Sequence, residues 1–441
     1  GKMSSLSEGS DIKNLNDIVY HVIVSIEGGS IIARDVGGNV ISSGVAGTDD
    51  SRVITEAIAW VPDNGNVLIS NGEYLLSADT QFYLDEGDLN PFWICIPILG
   101  NKNVHIFGYG AGITVLKLKP NQFSVGHPVA MMLNRAISLD PGFTAFTVAN
   151  MTFDGNRDNQ EQWYKDGASL ILTGSPRSGG NYYNLEFKNS YGTGLYLGNN
   201  GMGSESHSSI TNVVARDCSL EGILLDTAQD TVVSDCVFER CRTGLTIHGN
   251  NDYQTRTKDR IVVKDISCIA SPLTIWCIND LQMSSVNMDC TASPNAYGLL
   301  IHSSIGVLIK ESFFKSDRNK PNSYGGASYI DAGIDGPTSA TLENCVLDGY
   351  YALHVLGSAT ATLRGGAVNA SYACAYLRGI DPSTAMATLI GTVFIPAKHT
   401  IDCAPGTTIS IMYCYSSSIG SMIVEGTLNN QGSYGFGLPD V

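Results

Sequence analysis

One short strand pattern returns along most of the chain. GLYLGNN from Gly194, GILLDTA from Gly222, GLTIHGN from Gly244, PLTIWCI from Pro272 and GLLIHSS from Gly298 recur every 22 to 28 residues. Weaker copies stand at GASLILT from Gly167, ASYIDAG from Ala327, ALHVLGS from Ala352 and CAYLRGI from Cys374. Between them lie other β-rich runs, TVVSDCVF, RIVVKDIS, GVLIKESF and SATLENCV, so each period holds two or three short strands separated by turns. A unit this small cannot bury an apolar face by itself, whereas stacked units share a continuous core. The expected fold is therefore all-β, a single right-handed parallel β-helix. Leu195, Ile223, Leu245, Leu273 and Leu299 are expected in one interior column.

Composition agrees. The 441 residues include 48 Gly and only 15% charged side chains, which suits strands and turns rather than long amphipathic helices. A formal charge of -16 opposes binding to nucleic acid, and no apolar run reaches the roughly 20 residues of a membrane span. No signal-peptide core precedes Gly1-Lys2-Met3, and the compartment stays open on that ground. The eleven cysteines lack paired metal-ligand spacing. Cys218, Cys236, Cys290 and Cys345 each follow Asp or Asn, which reads as an interior stack of small side chains, buried and mostly unbridged.

Residues 1–46, with YHVIVSI, SIIARD and NVISSG, read as a β-meander lid. The solenoid is expected over 47–405, and a last coil with a Gly-rich tail over 406–441. An open solenoid end needs a cover. GTDDSRVITEAIAWVP supplies one as a helix capped by Thr48 or Asp49, with Val53, Ile54, Ala57, Ile58 and Trp60 on its apolar face.

That DD-containing helix, the strand ending in NGEY and the turn in NVHIFGYG together resemble the start of the pectate-lyase-like superfamily. The superfamily includes polygalacturonase-like glycoside hydrolases, polysaccharide lyases, epimerases and phage tailspikes. The resemblance covers roughly residues 45–405 and implies a polysaccharide partner held in a groove along the helix. It also implies an extracellular, cell-surface or virion-surface location, with which the sequons at Asn150 and Asn369 are compatible. In polygalacturonase-like members the acids lie on or just before the repeat strand, which points to Asp166 and, two coils later, Glu221. No cofactor is implied for hydrolysis; a lyase would call for Ca²⁺ or a basic residue such as Lys165, Arg242 or Arg256. The trimers of tailspikes leave a homotrimer open.

The residues themselves point to a second set. The last out-facing position of successive strands runs Gly198, Asp226, His248, Trp276, His302, Asp331, Leu356, Arg378. Two residues earlier stand Tyr196, Thr274, Tyr329, His354 and Tyr376. Aromatic faces cover sugar rings while carboxylates and imidazoles take hydroxyls. Asp226 with His248, and His302 with Asp331, would form carboxylate-oriented acids or bases. Trp276, Tyr196, Tyr329 and Tyr253 would bind substrate. Long insertions at 154–166, 198–209, 248–259 and 315–326 would wall the groove, with Trp163, Tyr164 and Tyr324 as further stacking surfaces. Hydrolase, lyase or epimerase, and non-enzymatic adhesin or filament subunit all remain open at this point.

Overall fold

The computed structural model describes residues 18–83, 91–98, 102–135, 143–161, 168–174, 179–198, 207–295, 297–319, 326–333, 335–379 and 385–437. Short parallel strands wind into a right-handed β-helix with three strand faces. The first face stacks thirteen strands from Phe92–Pro97 to Ser421–Val424. Leu195, Ile223, Leu245, Leu273 and Leu299 pair in succession inside it, each 1% exposed or less. At about 25 cal/mol per Å² of apolar surface, such columns are the main stabilising term, since charge and turn contacts lie outside them.

The repeat register holds from Gly194 onward but fails before it. Ser169, Ile171 and Leu172 pair with Thr193, Leu195 and Tyr196, so Gly167 lies three residues ahead of the position equivalent to Gly194. The similarity of GASLILT to later copies misled because Leu170 fills the inward position that glycine holds at Gly194, Gly222 and Gly244, so the small residues Gly167 and Ala168 do not mark it.

The coil corners explain three of the four Asp-Cys and Asn-Cys pairs. Asn150, Asn184, Asn212, Asp235, Asp265 and Asn344 adopt left-handed φ of 52–61°, a conformation that short polar side chains tolerate best. Asn184 and Asn212 each donate a side-chain hydrogen bond to the asparagine one coil before, at 2.9 and 2.7 Å. Asp217, Asp235 and Asn344 hold such corners, and the cysteine that follows each turns inward. All eleven cysteines are buried and free. Burial pushes the Cys236 and Cys290 thiols up to about 12. Native protein at pH 8 should therefore label very slowly with a maleimide, and denatured protein fully; rapid native labelling of Cys218, Cys236 and Cys290 would refute this packing. The two sequon asparagines serve the coil: Asn150 accepts from Asn184, and Asn369 accepts from Arg318.

At the N-terminal end, Val22–Glu27, Ser30–Asp35 and Val40–Val45 form an antiparallel meander, and its first strand adds in parallel to Gly65–Ile69. The helix Asp50–Trp60 lies against it and buries Val53, Ile54, Ala57 and Ile58. Trp60 is 50% exposed, a correction to the expected apolar face: two residues past Ile58 the helix has turned about 200° away. Asp49 is the N-cap residue, yet its carboxylate takes the Val45 amide at 2.7 Å rather than a helical N–H.

Candidate functional site

The out-facing side of the first face changes character along its length. Near its start Ile94, Ala130, Leu133 and Leu172 form a buried apolar cluster, against which Phe82, Phe92 and Tyr196 pack. Polar chemistry begins at Tyr196. From there Gly198, Asp226, His248, Trp276, His302, Asp331, Leu356 and Arg378 pair in unbroken succession. One coil separates each from the next, about 4.8 Å.

The column holds two carboxylate–imidazole pairs. Asp226 Oδ1 lies 3.6 Å from His248 Nδ1, too far for a hydrogen bond, while Tyr196 donates its hydroxyl to Asp226 Oδ2 at 2.7 Å. His248 Nε2 meets Asn251 Oδ1 at 2.9 Å. The second pair is tighter. His302 Nδ1 lies 2.6 Å from Asp331 Oδ1, and its Nε2 lies 3.4 Å from Asp335 Oδ2. Trp276 covers the imidazole with ring centroids 3.9 Å apart, leaving His302 9% exposed. Burial disfavours the imidazolium, but the hydrogen bonds and charges of Asp331 and Asp335 outweigh it and raise the His302 pKa above the ordinary value. One carboxylate thus stands at each ring nitrogen, with the imidazole filling the space between Asp331 and Asp335.

Other expected residues fall elsewhere. Asp166 and Lys165 lie outside the described residues, as do Trp163, Tyr164 and Tyr324. The residue two coils before Glu221 is Ser169, which removes the repeat-based pairing of Glu221 with Asp166. Glu221 begins its strand, five residues or roughly 16 Å from Asp226, and accepts the Thr193 hydroxyl at 2.7 Å. Arg242 is exposed in the turn before Thr243–His248, at the end of the strand opposite His248. Tyr329 is only 1% exposed, set edge-on to His354, and so presents no open face to a sugar. Tyr253 is 39% exposed on the loop after His248. The strip continues as Tyr376, which stacks on Tyr351 at 4.2 Å beneath the Arg378 guanidinium, itself paired with Asp402 at 2.9 Å.

Sequence reasoning missed Asp335, Asn251 and the structural use of Arg256. All three sit in turns after repeat strands, where no periodicity marks them. The only available signal was that polar loops follow His248 and Asp331. Among the described residues, no three His, Cys, Asp or Glu side chains are grouped as a metal ion would require.

The sequence matches no family model and no curated protein. By structure it is similar to the catalytic unit of a thermostable GH87 α-1,3-glucanase from Streptomyces thermodiastaticus strain HF3-3, with TM-score 0.55 and 13% identity. The alignment covers 88% of this chain and 66% of the glucanase unit, so the chain spans just under two thirds of that length. The Agl-KA catalytic domain aligns with TM-score 0.55 and 12% identity over 88% of this chain and 67% of its own. The A-module of the Azotobacter vinelandii mannuronan C-5 epimerase AlgE6 gives TM-score 0.45 and 15% identity, over 88% and 95%. At these identities the likeness is one of fold: the chain has a β-helix architecture that also occurs in carbohydrate-active proteins.

Proposed function

We propose that this protein binds a polysaccharide along the strip and cleaves it, with glycoside hydrolysis as the favoured reaction. The observation that carries the reading is the Asp331–His302–Asp335 unit, roofed by Trp276 and set in a polar column that crosses several coils. A long ligand lying along the column would meet hydroxyl-binding carboxylates and aromatic rings at successive coils. Asp331 orients the His302 ring, whose far nitrogen can then exchange a proton with a ligand hydroxyl that displaces the loose 3.4 Å contact of Asp335. The β-helix of the similar α-1,3-glucanase unit supports the choice of a glycan as ligand, and a surface or extracellular setting follows from such a ligand.

A panel of neutral and acidic polysaccharides tests the reading. New reducing ends without near-ultraviolet absorbance are the expected result. An absorbing unsaturated product would replace hydrolysis by elimination, and retention of glycans without any cleavage would leave a binding protein. Trp276 provides a sharper test because it touches His302 as well as the open strip. Trp276→Phe, which keeps an aromatic roof, should raise KM about tenfold with little change in kcat, whereas Trp276→Ala should lower kcat too. Equal, purely KM effects of both variants would show that the roof does not hold the imidazole.

A further inference from the structure

The carboxylate of Asp335 is not placed by the strand that carries Asp331. It stands in the turn beyond Gly326–Ala332, and Arg256 from another segment together with two glycines of the turn itself bring it to His302. Arg256 Nη2 donates to the Asp335 carbonyl at 2.9 Å. The same guanidinium donates through Nη1 to the carbonyl of Ser303, the residue after His302, at 2.5 Å, and through Nε to the Asn250 carbonyl at 2.8 Å. Gly333 packs so close that a Cβ there would stand 2.8 Å from His302 Cε1, and at Gly336 one would stand 2.9 Å from the Tyr253 ring.

The loop that supplies Arg256 is itself ordered by side chains. Asn250 accepts the Asp252 amide and donates to Thr255, and Asp252 accepts from Gln254 and Thr255. Its Asn251 meets His248 Nε2. One loop therefore contacts His248 directly and the backbone on both sides of the His302 centre, at Ser303 and Asp335, two coils or roughly 10 Å away.

We propose that Arg256 is a positioning residue: it fastens the turn that carries Asp335 to the backbone beside His302, so that the 249–256 loop joins the two histidine centres into one unit. Two carbonyls on different coils are spanned by one planar guanidinium, a geometry that a lysine ammonium, with its single nitrogen, cannot reproduce. The consequence for turnover rests on the glycan-cleavage reading; the placement of Asp335 does not.

The test is an NMR titration of His302 in ¹⁵N,¹³C-histidine-labelled protein, its signal assigned by loss in His302→Gln. The charged groups that act on the ring are Asp331 from the next coil and Asp335 from the turn; Arg256 is bonded to the Asp335 carbonyl, and Asp259 interacts with Arg256. Opposite signs separate the alternatives. If Arg256 were only a nearby cation, its removal would raise the His302 midpoint. If it holds Asp335, Arg256→Ala should lower the midpoint by roughly 0.5–1 pH unit, as Asp335→Asn does, and the double variant should add nothing further. Arg256→Lys should fall between. A midpoint unchanged or raised in Arg256→Ala overturns the proposal, as does an Asp335→Asn variant that titrates like the parent. Should Arg256→Ala fail to fold, Arg256→Gln, which keeps a polar side chain but cannot span the Ser303 and Asp335 carbonyls, is read by the same criterion. No substrate enters the measurement, so a failed cleavage screen leaves its outcome intact.

Discussion

His302→Gln is expected to lower turnover of the cleaved glycan by roughly 10²–10³, with Asp331→Asn close behind, because both remove the oriented proton donor. Asp335→Asn should cost less, because it removes one of the two carboxylates that favour the charged imidazole and leaves the ring oriented by Asp331. Asp226→Asn and His248→Ala are the rival set. Asp226 stands four coils, roughly 19 Å, from Asp331, so the two acids cannot serve one bond. Loss confined to the first set places the chemistry at His302. Loss confined to the second moves it to His248, and parent-like cleavage by all five variants would reject both. The pH profile adds an independent check. His302 has its pKa raised by Asp331 and Asp335 against the cost of burial. As a proton donor it stays competent above the ordinary histidine value near 6.5 and fails as pH rises through its own raised value. Asp331→Asn should therefore move the alkaline limb to lower pH. An unmoved limb would assign that limb to another group.

The column could be read from sequence because a parallel solenoid converts a repeat into a lattice: once Gly194, Gly222 and Gly244 are aligned, every later position follows at fixed register. Asp226, His248, Trp276, His302 and Asp331 fell into line for that reason. The same logic failed at Gly167, because Leu170 stands where later coils have glycine, three residues further on, which dissolves the expected pairing of Asp166 with Glu221. It also could not rank the two histidine pairs. What makes His302 the tighter centre is Asp335, and Asp335 is brought there by Arg256, some 80 residues earlier in the chain. Turns carry no period, so their contacts become visible only when the coils are stacked. Burial of Tyr329 was hidden for a related reason, since an out-facing strand position is open only if no other segment covers it.

The loop that carries Arg256 ends in a stability cost that can be removed. Asp259 is 4% exposed, and its carboxylate accepts the Asn279 amide at 2.7 Å. Burial is the larger effect and raises its pKa from 3.8 to about 6, against the opposing pull of that hydrogen bond and of Arg256 and Arg260. The folded state thus binds the Asp259 proton more tightly than the unfolded chain. Below about pH 4 both states are protonated and the group costs nothing. As pH rises from about 4 to the folded value near 6, stability falls by up to about 3 kcal/mol for a shift of roughly two units, and above that it changes no further on this group's account. Asp259→Asn keeps a carbonyl oxygen for the Asn279 amide and has no charge to bury. Its stability relative to the parent should be near zero at pH 4 and rise by about 1–3 kcal/mol at pH 7.5, measured by urea unfolding at both pH values. A variant destabilised equally at both pH values would show that Asp259 is ionised in the fold at no cost, with a partner stronger than the Asn279 amide.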